Sequence, residues 1–156
     1  MNTTYLSIGT NLGNKEENLH TAIGKISERI GQVKAQSAFI QTEPWGFRSP
    51  NVFLNAAVCV ETSLSPLGLL EATQQIEREM GRRNKPAVRA GKVEYADRII
   101  DIDILLFYEE GGSGSPAFDM ENDWGGTVRI STPALTIPHP HMHERDFVLI
   151  PLKEIL

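Results

Sequence analysis

This sequence has only one cysteine, and it lacks long apolar runs and a signal segment. Its single cysteine, Cys59, excludes an internal disulfide and a zinc site built from several cysteines. No apolar run approaches the roughly 20 residues that a helix needs to cross a bilayer. The N-terminus has neither the basic residues nor the apolar segment of a secretory signal. These absences predict a cytoplasmic protein without a membrane partner.

Excess positive charge is also missing from the chain as a whole. Its 15 basic and 20 acidic side chains give a formal net charge of −5, which argues against a nucleic-acid partner. Residues 78–98 are the exception, because seven basic and three acidic residues give this segment +4 and leave −9 for the rest. Such a segment favours binding of a small polyanion, for example a polyphosphate. The alternative is a solvated loop whose basic side chains only aid solubility.

The common signatures of nucleotide loops and of covalent catalysis are absent too. There is no Gly-x-Gly-x-x-Gly fingerprint, and no serine or cysteine stands in a nucleophile motif. Residues 9–15, with the sequence GTNLGNK, have the glycines of a phosphate loop without the spacing that such a loop requires. We therefore predict a tight turn from a strand into a helix here.

Hydrophobic periodicity predicts four main strands and two helices. Asn14 opens a capping box, and Ser65 followed by Pro66 is typical of a second helix start. An apolar face and a terminal glycine follow each start, so we expect the helices to end at Gly31 and Gly81. The strands are predicted at 5–9, 33–41, 53–62 and 98–107, with an edge strand at 128–131. The order β-α-β-β-α-β predicts a ferredoxin-like α+β fold, a mainly antiparallel sheet covered by helices.

One segment differs from the rest in composition. Residues 109–126 contain two Gly-Gly pairs, five acidic residues and no basic residue. This composition predicts a flexible acidic insertion between the two arms of a hairpin. We expect residues 1–156 to form a single domain. Residues 136–156 are expected to form a proline-rich turn followed by a short strand or helix.

The sharpest chemical signal is the pair Asp101 and Asp103 in a predicted strand. Residues two apart point to the same face of a strand, with their Cα atoms about 7 Å apart, so the two carboxylates project together. Ile100, Ile102 and Ile104 are then expected on the core face. Adjacent carboxylates repel one another unless a cation compensates them, and hard oxygen ligands suit Mg²⁺. Two solvated aspartates at a strand end are the alternative.

Three histidines near the C-terminus, at 139, 141 and 143, suggest a metal site at first sight. Pro140 interrupts their spacing, and neither a cysteine nor a cluster of carboxylates completes a zinc site, so zinc is not predicted. A contact between one histidine and a phosphate is the better interpretation, with surface positions for the others.

Aromatic residues at the edges of predicted elements indicate a candidate binding slot. Trp45, Phe53 and Phe147 flank loops or strand starts instead of filling helix faces. With Thr42 and Asn55 they can form a flat slot with hydrogen-bonding edges, suited to a heterocycle. Packing of these rings in the core is the alternative.

Together these segments resemble one family, the hydroxymethyldihydropterin pyrophosphokinases of folate synthesis. The resemblance is carried by SIGTNLG at 7–13, FLNAA at 53–57, E at 77, GR at 81–82, RIIDIDILLF at 98–107 and IPHPHMHERDFVL at 137–149. These motifs follow the family's order along nearly the whole chain. The resemblance implies a ferredoxin-like enzyme that transfers pyrophosphate from ATP to 6-hydroxymethyl-7,8-dihydropterin and releases AMP.

The resemblance also implies roles for individual residues. Asp101 and Asp103 would bind two Mg²⁺ ions between the ATP phosphates and the substrate hydroxyl, and Arg82 and Arg98 would act beside them in catalysis. The residues implied in ATP binding are Gln74, Glu77, Ile104, Thr136, His139 and Arg145. The residues implied in pterin binding are Thr42, Pro44, Trp45, Phe53, Asn55 and Phe147, with the ring between Phe53 and Phe147.

Two other functions are compatible with parts of the sequence. RNA-binding modules also use ferredoxin-like sheets, but their aromatic signature and net positive charge are absent. A regulatory relative that binds nucleotide without turnover is the other possibility, and the intact aspartate pair argues against it. The sequence makes no prediction of oligomeric state.

Overall fold

A computed structural model describes residues 1–42, 52–81, 88, 89, 92, 93, 99–111, 124 and 126–156. For 88, 89, 92, 93 and 143 the description covers the backbone only. Four residues of the predicted site lie outside the described residues: Pro44, Trp45, Arg82 and Arg98. Among the helices of the described residues, none has the length and apolar content needed to cross a membrane.

Helices and strands alternate along the described parts of the chain. The helices are α1 (Lys15–Arg29), α2 (Pro66–Glu79) and α3 (Asp146–Ile155), with a 3₁₀ turn at Met142–Glu144. The main sheet contains β1 (Asn2–Thr10), β2 (Gly31–Gln36), β3 (Ile40–Thr42), β4 (Phe53–Thr62) and β7 (Asp101–Tyr108). Two short hairpins pair β5 (Val88–Arg89) with β6 (Lys92–Val93), and β8 (Ile130–Ser131) with β9 (Thr136–Ile137).

The main sheet is antiparallel, in the order β2-β4-β1-β7, and β3 also pairs with β4. The chain runs from β1 through α1 to β2, and from β4 through α2 to β7. Each of these connections passes over one intervening strand, so the two β-α-β units interleave. This is the ferredoxin-like arrangement, and the predicted fold class is confirmed.

Local sequence explains where the two long helices begin. The Asn14 side chain accepts a hydrogen bond from the backbone N–H of Glu17 at 3.1 Å. The Ser65 hydroxyl accepts one from the backbone N–H of Gly68 at 3.1 Å, and Pro66 follows at the first helical position. Both predicted N-caps are confirmed. Each cap satisfies a backbone donor that would otherwise lack a partner in the first turn.

Gly31 ends α1 for a different physical reason than the one expected. It does not adopt a positive φ but begins β2 directly. A Cβ at this position would lie 1.8 Å from the carbonyl oxygen of Glu61 on β4. The close approach of two backbones therefore requires glycine here.

The predicted strand at 33–41 is wrong in its middle, because residues 37–39 separate β2 from β3. The Ser37 N–H donates to the Ala57 carbonyl at 2.9 Å, and the Ser37 hydroxyl accepts the Ala57 N–H at 2.9 Å. A side chain thus replaces a backbone acceptor, and the chain bends without leaving β4 unpaired. The strands predicted at 5–9, 53–62 and 98–107 are present with ends shifted by at most three residues, and the C-terminal segment contains the helix α3. The predicted edge strand at 128–131 is wrong, because β8 covers only Ile130–Ser131 and pairs with β9 in a separate hairpin.

Each face of the sheet carries an apolar core. The first core lies against α1 and α2 and contains Ile100, Ile102 and Ile104, so the expectation for these side chains is confirmed. The second core lies against α3 and contains Val148 and Leu152 of that helix. The aspartates between the isoleucines must therefore face the side of the sheet that carries α3.

Trp124 lies within the segment 109–126 that the composition predicts to be a flexible insertion. Its side chain is 1% exposed and belongs to the second core. The Tyr108 hydroxyl donates to the Trp124 carbonyl at 2.9 Å, and the Thr127 N–H donates to the same oxygen at 3.3 Å. The segment is therefore anchored at this residue, while 112–123 and 125 lie outside the described residues.

Candidate active site

The candidate site begins where the second core ends. On β1, Tyr5 belongs to the second core, and residues two and four further along face the same side. Strand register continues this face onto β4 and β7 as three rows. They are the apolar row of Cys59, Tyr5 and Leu106, the middle row of Ala57, Ser7 and Asp103, and the polar row of Asn55, Gly9 and Asp101. Across these three rows of one sheet face, apolar side chains are replaced by polar ones.

Asp101 and Asp103 hold adjacent rows of this face, and both are partly buried. Ile102 between them is 6% exposed on the opposite face, so the strand has little freedom to rotate and separate the carboxylates. Among the described residues, no third histidine, cysteine or carboxylate completes a cluster with them. Two acidic side chains suit a divalent cation that takes its remaining ligands from phosphate oxygens and water.

Hydrogen bonds at the outer edge of β7 hold Glu77 and His139 close to the pair of aspartates. The buried Glu77 carboxylate on α2 accepts the backbone N–H of Ile102 at 3.0 Å. On the same edge, the backbone N–H of His139 donates to the carbonyl of Leu105 at 3.1 Å. An edge strand needs partners for its outward N–H and C=O groups, and here two neighbouring segments supply them. Both Glu77 and His139 are thereby held against the strand that carries the aspartates.

His139 is a neutral hydrogen-bond donor in this setting. Burial lowers its pKa to about 4, with Arg145 and His141 acting in the same direction and Asp101 opposing them. Its Nδ1 accepts the backbone N–H of His141 at 3.2 Å. In the neutral ring the proton therefore resides on Nε2, which is left to donate.

Arg145 and Phe147 lie at the start of α3. Arg145 is 8% exposed, and its guanidinium carbon lies 5.6 Å from the centre of the Phe147 ring. At this distance the cation interacts with the face of the ring. The contact ties a positive charge and a flat apolar surface to one short segment.

Thr42, Phe53 and Asn55 form a polar and aromatic group of side chains beside Gly9. Thr42 pairs with Phe53 across β3 and β4, and Asn55 lies two residues further along β4. The Asn55 side-chain amide is 3% exposed, and its Nδ2 donates to the Thr42 hydroxyl at 2.7 Å. The structure therefore brings these predicted pterin residues together.

The residues predicted for the nucleotide surround the outer edge of β7. Glu77 and the partly buried Gln74 belong to α2, and Thr136 belongs to β9, and both elements lie against β7. The Ile104 side chain is 5% exposed in the first core. Because alternate residues direct their backbone groups to the same edge, the N–H and C=O of Ile104 face outward like those of Ile102. Ile104 can thus offer its backbone, rather than its side chain, to a ligand.

Sequence reasoning missed the contacts that hold these side chains in place. The bonds from Asn55 to Thr42 and from Ile102 to Glu77, and the approach of Asn55 to Gly9, join distant parts of the chain. Periodicity indicates which face a side chain takes, but it contains no information on strand register. The sequence had no signal for these pairings.

Comparison with known proteins identifies related chains. The model of the 7,8-dihydro-6-hydroxymethylpterin-pyrophosphokinase family matches residues 5–156. A 2-amino-4-hydroxy-6-hydroxymethyldihydropteridine pyrophosphokinase of Porphyromonas gingivalis is 42% identical over 151 residues, which cover 97% of this chain and 88% of the relative. A protein of the same name from Bacillus subtilis is 37% identical over 155 residues, covering 99% and 78%.

Solved structures agree with the fold. The crystal structure of wild-type Plasmodium falciparum HPPK-DHPS superposes with a TM-score of 0.65 at 17% sequence identity. The superposition covers 99% of this chain, which spans only 41% of the length of that structure. At this identity the likeness bears on the fold alone.

Proposed function

This chain belongs to the 7,8-dihydro-6-hydroxymethylpterin-pyrophosphokinase family, and we propose that it transfers pyrophosphate from ATP to 6-hydroxymethyl-7,8-dihydropterin. The products are the pterin diphosphate and AMP, in a step of folate biosynthesis. The observation that carries this proposal is the family match over residues 5–156. It includes every residue that the sequence predicts for the site.

The paired carboxylates of Asp101 and Asp103 are the proposed Mg²⁺ ligands, with ATP as co-substrate. Their spacing on one strand face suits two ions, and oxygen is the ligand that Mg²⁺ prefers. When bound, Mg²⁺ supplies positive charge that offsets the charge of the phosphate chain. Asp101 and Asp103 also fix where the phosphates lie relative to the polar row.

His139 and Arg145 act on the phosphates in different ways. The Nε2–H of neutral His139 donates a hydrogen bond to a phosphate oxygen without adding charge. Arg145 supplies a permanent positive charge from the start of α3. Arg82 and Arg98, which lie outside the described residues, are proposed to add further charge during transfer.

The pterin is proposed to occupy the pocket bounded by Thr42, Phe53, Asn55 and Phe147, with Pro44 and Trp45 contributing from outside the described residues. Asn55 lies in the same row as Asp101, with one strand between them. Strands are about 4.8 Å apart, so the two side chains arise roughly 10 Å from each other, which leaves room for a bicyclic ring. A ring bound at Asn55 can therefore direct its hydroxymethyl group toward Asp101.

The nucleotide is proposed to bind along the outer edge of β7, at Gln74, Glu77, Ile104 and Thr136. ATP bound there directs its phosphates toward the aspartates of the same strand. The pterin hydroxyl then attacks the β-phosphorus and releases its proton to water, the bond from that phosphorus to the oxygen of the α-phosphate breaks, and AMP leaves. Positioning and charge neutralisation carry the reaction, and no covalent enzyme intermediate is needed.

A product assay tests this function directly. The protein is incubated with ATP, Mg²⁺ and hydroxymethyldihydropterin, and the nucleotide products are separated. We expect AMP in amounts equal to the pterin diphosphate, and none when EDTA removes the metal. Release of ADP, or tight and salt-sensitive binding of single-stranded RNA without turnover, would contradict the proposal.

The remaining expectations concern the organisation of the protein. We propose that residues 1–156 act as one pterin pyrophosphokinase domain in the cytoplasm. Its proposed partners are the two small-molecule substrates, with no role for nucleic acid or membranes.

A further inference from the structure

Gly9 is at the centre of the polar row, between Asn55 and Asp101. A Cβ at this position would lie 2.6 Å from Oδ1 of Asn55 and 3.7 Å from Cδ1 of Phe53. Cβ atoms do not approach an oxygen this closely, so any other residue at position 9 would displace the Asn55 carboxamide. The glycine therefore leaves the space that this side chain occupies.

The orientation of the Asn55 carboxamide depends on two neighbours, Thr42 and Gly9. Its Nδ2 donates to the Thr42 hydroxyl at 2.7 Å, which fixes the amide from one side. Its Oδ1 lies over the bare backbone of Gly9 on the other side. With Nδ2 engaged by Thr42, Oδ1 is the atom that can accept a hydrogen bond from a ring N–H.

We propose that Gly9 is a specificity-determining residue of the pterin site, because its missing side chain lets the Asn55 carboxamide lie in the orientation that Thr42 fixes. This inference rests on the proposed function. Gly9 acts through Asn55, which is the group that touches the ring. A flat heterocycle with N–H donors on its edge is the class of ligand that this arrangement selects, since a buried acceptor discriminates strongly against a ring that cannot donate.

Three glycines of the chain differ in what a Cβ would meet. At Gly9 it meets the end of a side chain, which can rotate away, so the fold should survive. At Gly31 it meets backbone of β4 at 1.8 Å, so the fold should suffer. At Gly24 in α1 it meets nothing within 4 Å. Replacing each by alanine therefore separates an effect on the site from an effect on the fold.

The experiment measures pterin and ATP affinity by calorimetry, and unfolding by urea, for Gly9→Ala, Gly24→Ala and Gly31→Ala. For Gly9→Ala we expect pterin affinity to fall about 10- to 100-fold, the scale of losing a buried hydrogen bond, with ATP affinity within twofold of the wild type. Gly24→Ala should keep both affinities, and Gly31→Ala should lower the urea midpoint.

The positioning role is tested in an Asn55→Ala background. If Gly9 acts through Asn55, adding Gly9→Ala in this background should reduce pterin affinity by less than threefold. Thr42→Val, which loses the hydroxyl but adds no bulk at position 9, should also weaken pterin binding and serves if Gly9→Ala does not fold. Unchanged pterin affinity in Gly9→Ala and Thr42→Val, or an undiminished loss in the Asn55→Ala background, would overturn the inference. A wild-type protein that makes no AMP would instead overturn the function on which it rests.

Discussion

The apolar row and the polar row lie on the same face of the same three strands, yet their side chains have different roles. In the apolar row, Tyr5 and Cys59 fill the second core, and burial is the main cause that raises the pKa of both groups. In the polar row, Asn55 and Asp101 flank a glycine that contributes no side chain at all. One sheet face thus supports packing at one end and leaves space for ligands at the other, with a register shift of β1 against β7 between Tyr5 and Leu6.

Side-chain size on the central strand accounts for this difference. Along β1, the residues of the three rows are Tyr5, Ser7 and Gly9, which become smaller toward the site. A large residue on the central strand fills the space between the side chains of the two flanking strands, while glycine leaves that space open above its backbone. We therefore expect substitutions in the apolar row to reduce stability, and substitutions in the polar row to reduce activity.

The largest expected effect comes from the two carboxylates that we propose as Mg²⁺ ligands. Asp101→Asn or Asp103→Asn should reduce kcat by about two to three orders of magnitude, the scale for losing one group that stabilises charge in the transition state. The urea midpoint should remain close to that of the wild type, because asparagine has nearly the same shape. Steady-state AMP formation at saturating Mg²⁺ measures the loss.

Glu28→Gln, on the exposed surface of α1, is the control for removing one negative charge and should leave kcat unchanged. Near-normal turnover in both aspartate variants would show that the polar row does not hold the metal.

A large effect on stability is expected in the apolar row. Leu106 is 0% exposed in the second core, so Leu106→Ala should lower the free energy of unfolding by about 2–5 kcal/mol through lost burial and a cavity. Pterin and ATP affinities should stay within about twofold of the wild type under conditions where the variant is folded. Urea unfolding and calorimetry give the two quantities.

Leu67→Ala makes the same chemical change at a side chain that is 61% exposed, and should shift stability by less than about 0.5 kcal/mol. Equal destabilisation by both leucine variants would mean that the apolar row is not a packed core.

How far the sequence predicts this molecule depends on whether the information is local. Period-two alternation placed the Ile100, Ile102 and Ile104 side chains in the core, and the helix starts at Asn14 and Ser65 were evident from their caps. These features depend on residues within a few positions of one another. Fold class followed from the order of the elements.

Features that depend on distant contacts could not be predicted. Ser37 interrupts a strand because its hydroxyl replaces a backbone acceptor for Ala57, 20 residues away. Trp124 is buried although its neighbours in sequence are glycine and acidic residues. In the sequence, Gly9 resembles part of a turn. Only the register of β1 with β4 and β7 shows that it lies between Asn55 and Asp101 in the sheet.

A smaller effect is expected at the aromatic border of the site. Phe147→Ala should weaken pterin binding by about 1–3 kcal/mol, from lost stacking and burial. ATP affinity should fall less, since Arg145 loses only its contact with the ring at 5.6 Å. Phe39→Ala, at a partly buried ring packed on the first core, is the matched control and should reduce stability without changing pterin affinity. If calorimetry shows a greater loss for ATP than for pterin, Phe147 belongs to the nucleotide side.

The smallest expected effect concerns the charge of His139, which borders the polar row. Burial, Arg145 and His141 hold its folded-state pKa at about 4, below the ordinary value of 6.5, against the opposing effect of Asp101. The unfolded chain therefore takes up this proton first as the pH falls. The stability linked to the neutral ring is complete above pH 6.5 and is lost progressively toward pH 4. From these two values the loss reaches about 1 kcal/mol by pH 5.5.

His139→Gln should lack this part of the pH dependence, whereas His20→Gln, which removes a histidine of α1 outside the site, should retain it. The measurements are urea unfolding of the ligand-free protein between pH 7.5 and 5, and an NMR titration of the His139 ring. Parallel loss of stability in the wild type and in His139→Gln, together with a ring that titrates near 6.5, would show that His139 carries charge at neutral to mildly acid pH. The polar row would then be bordered by a protonated His139 in addition to Arg145, instead of by the neutral donor that we propose for a phosphate oxygen.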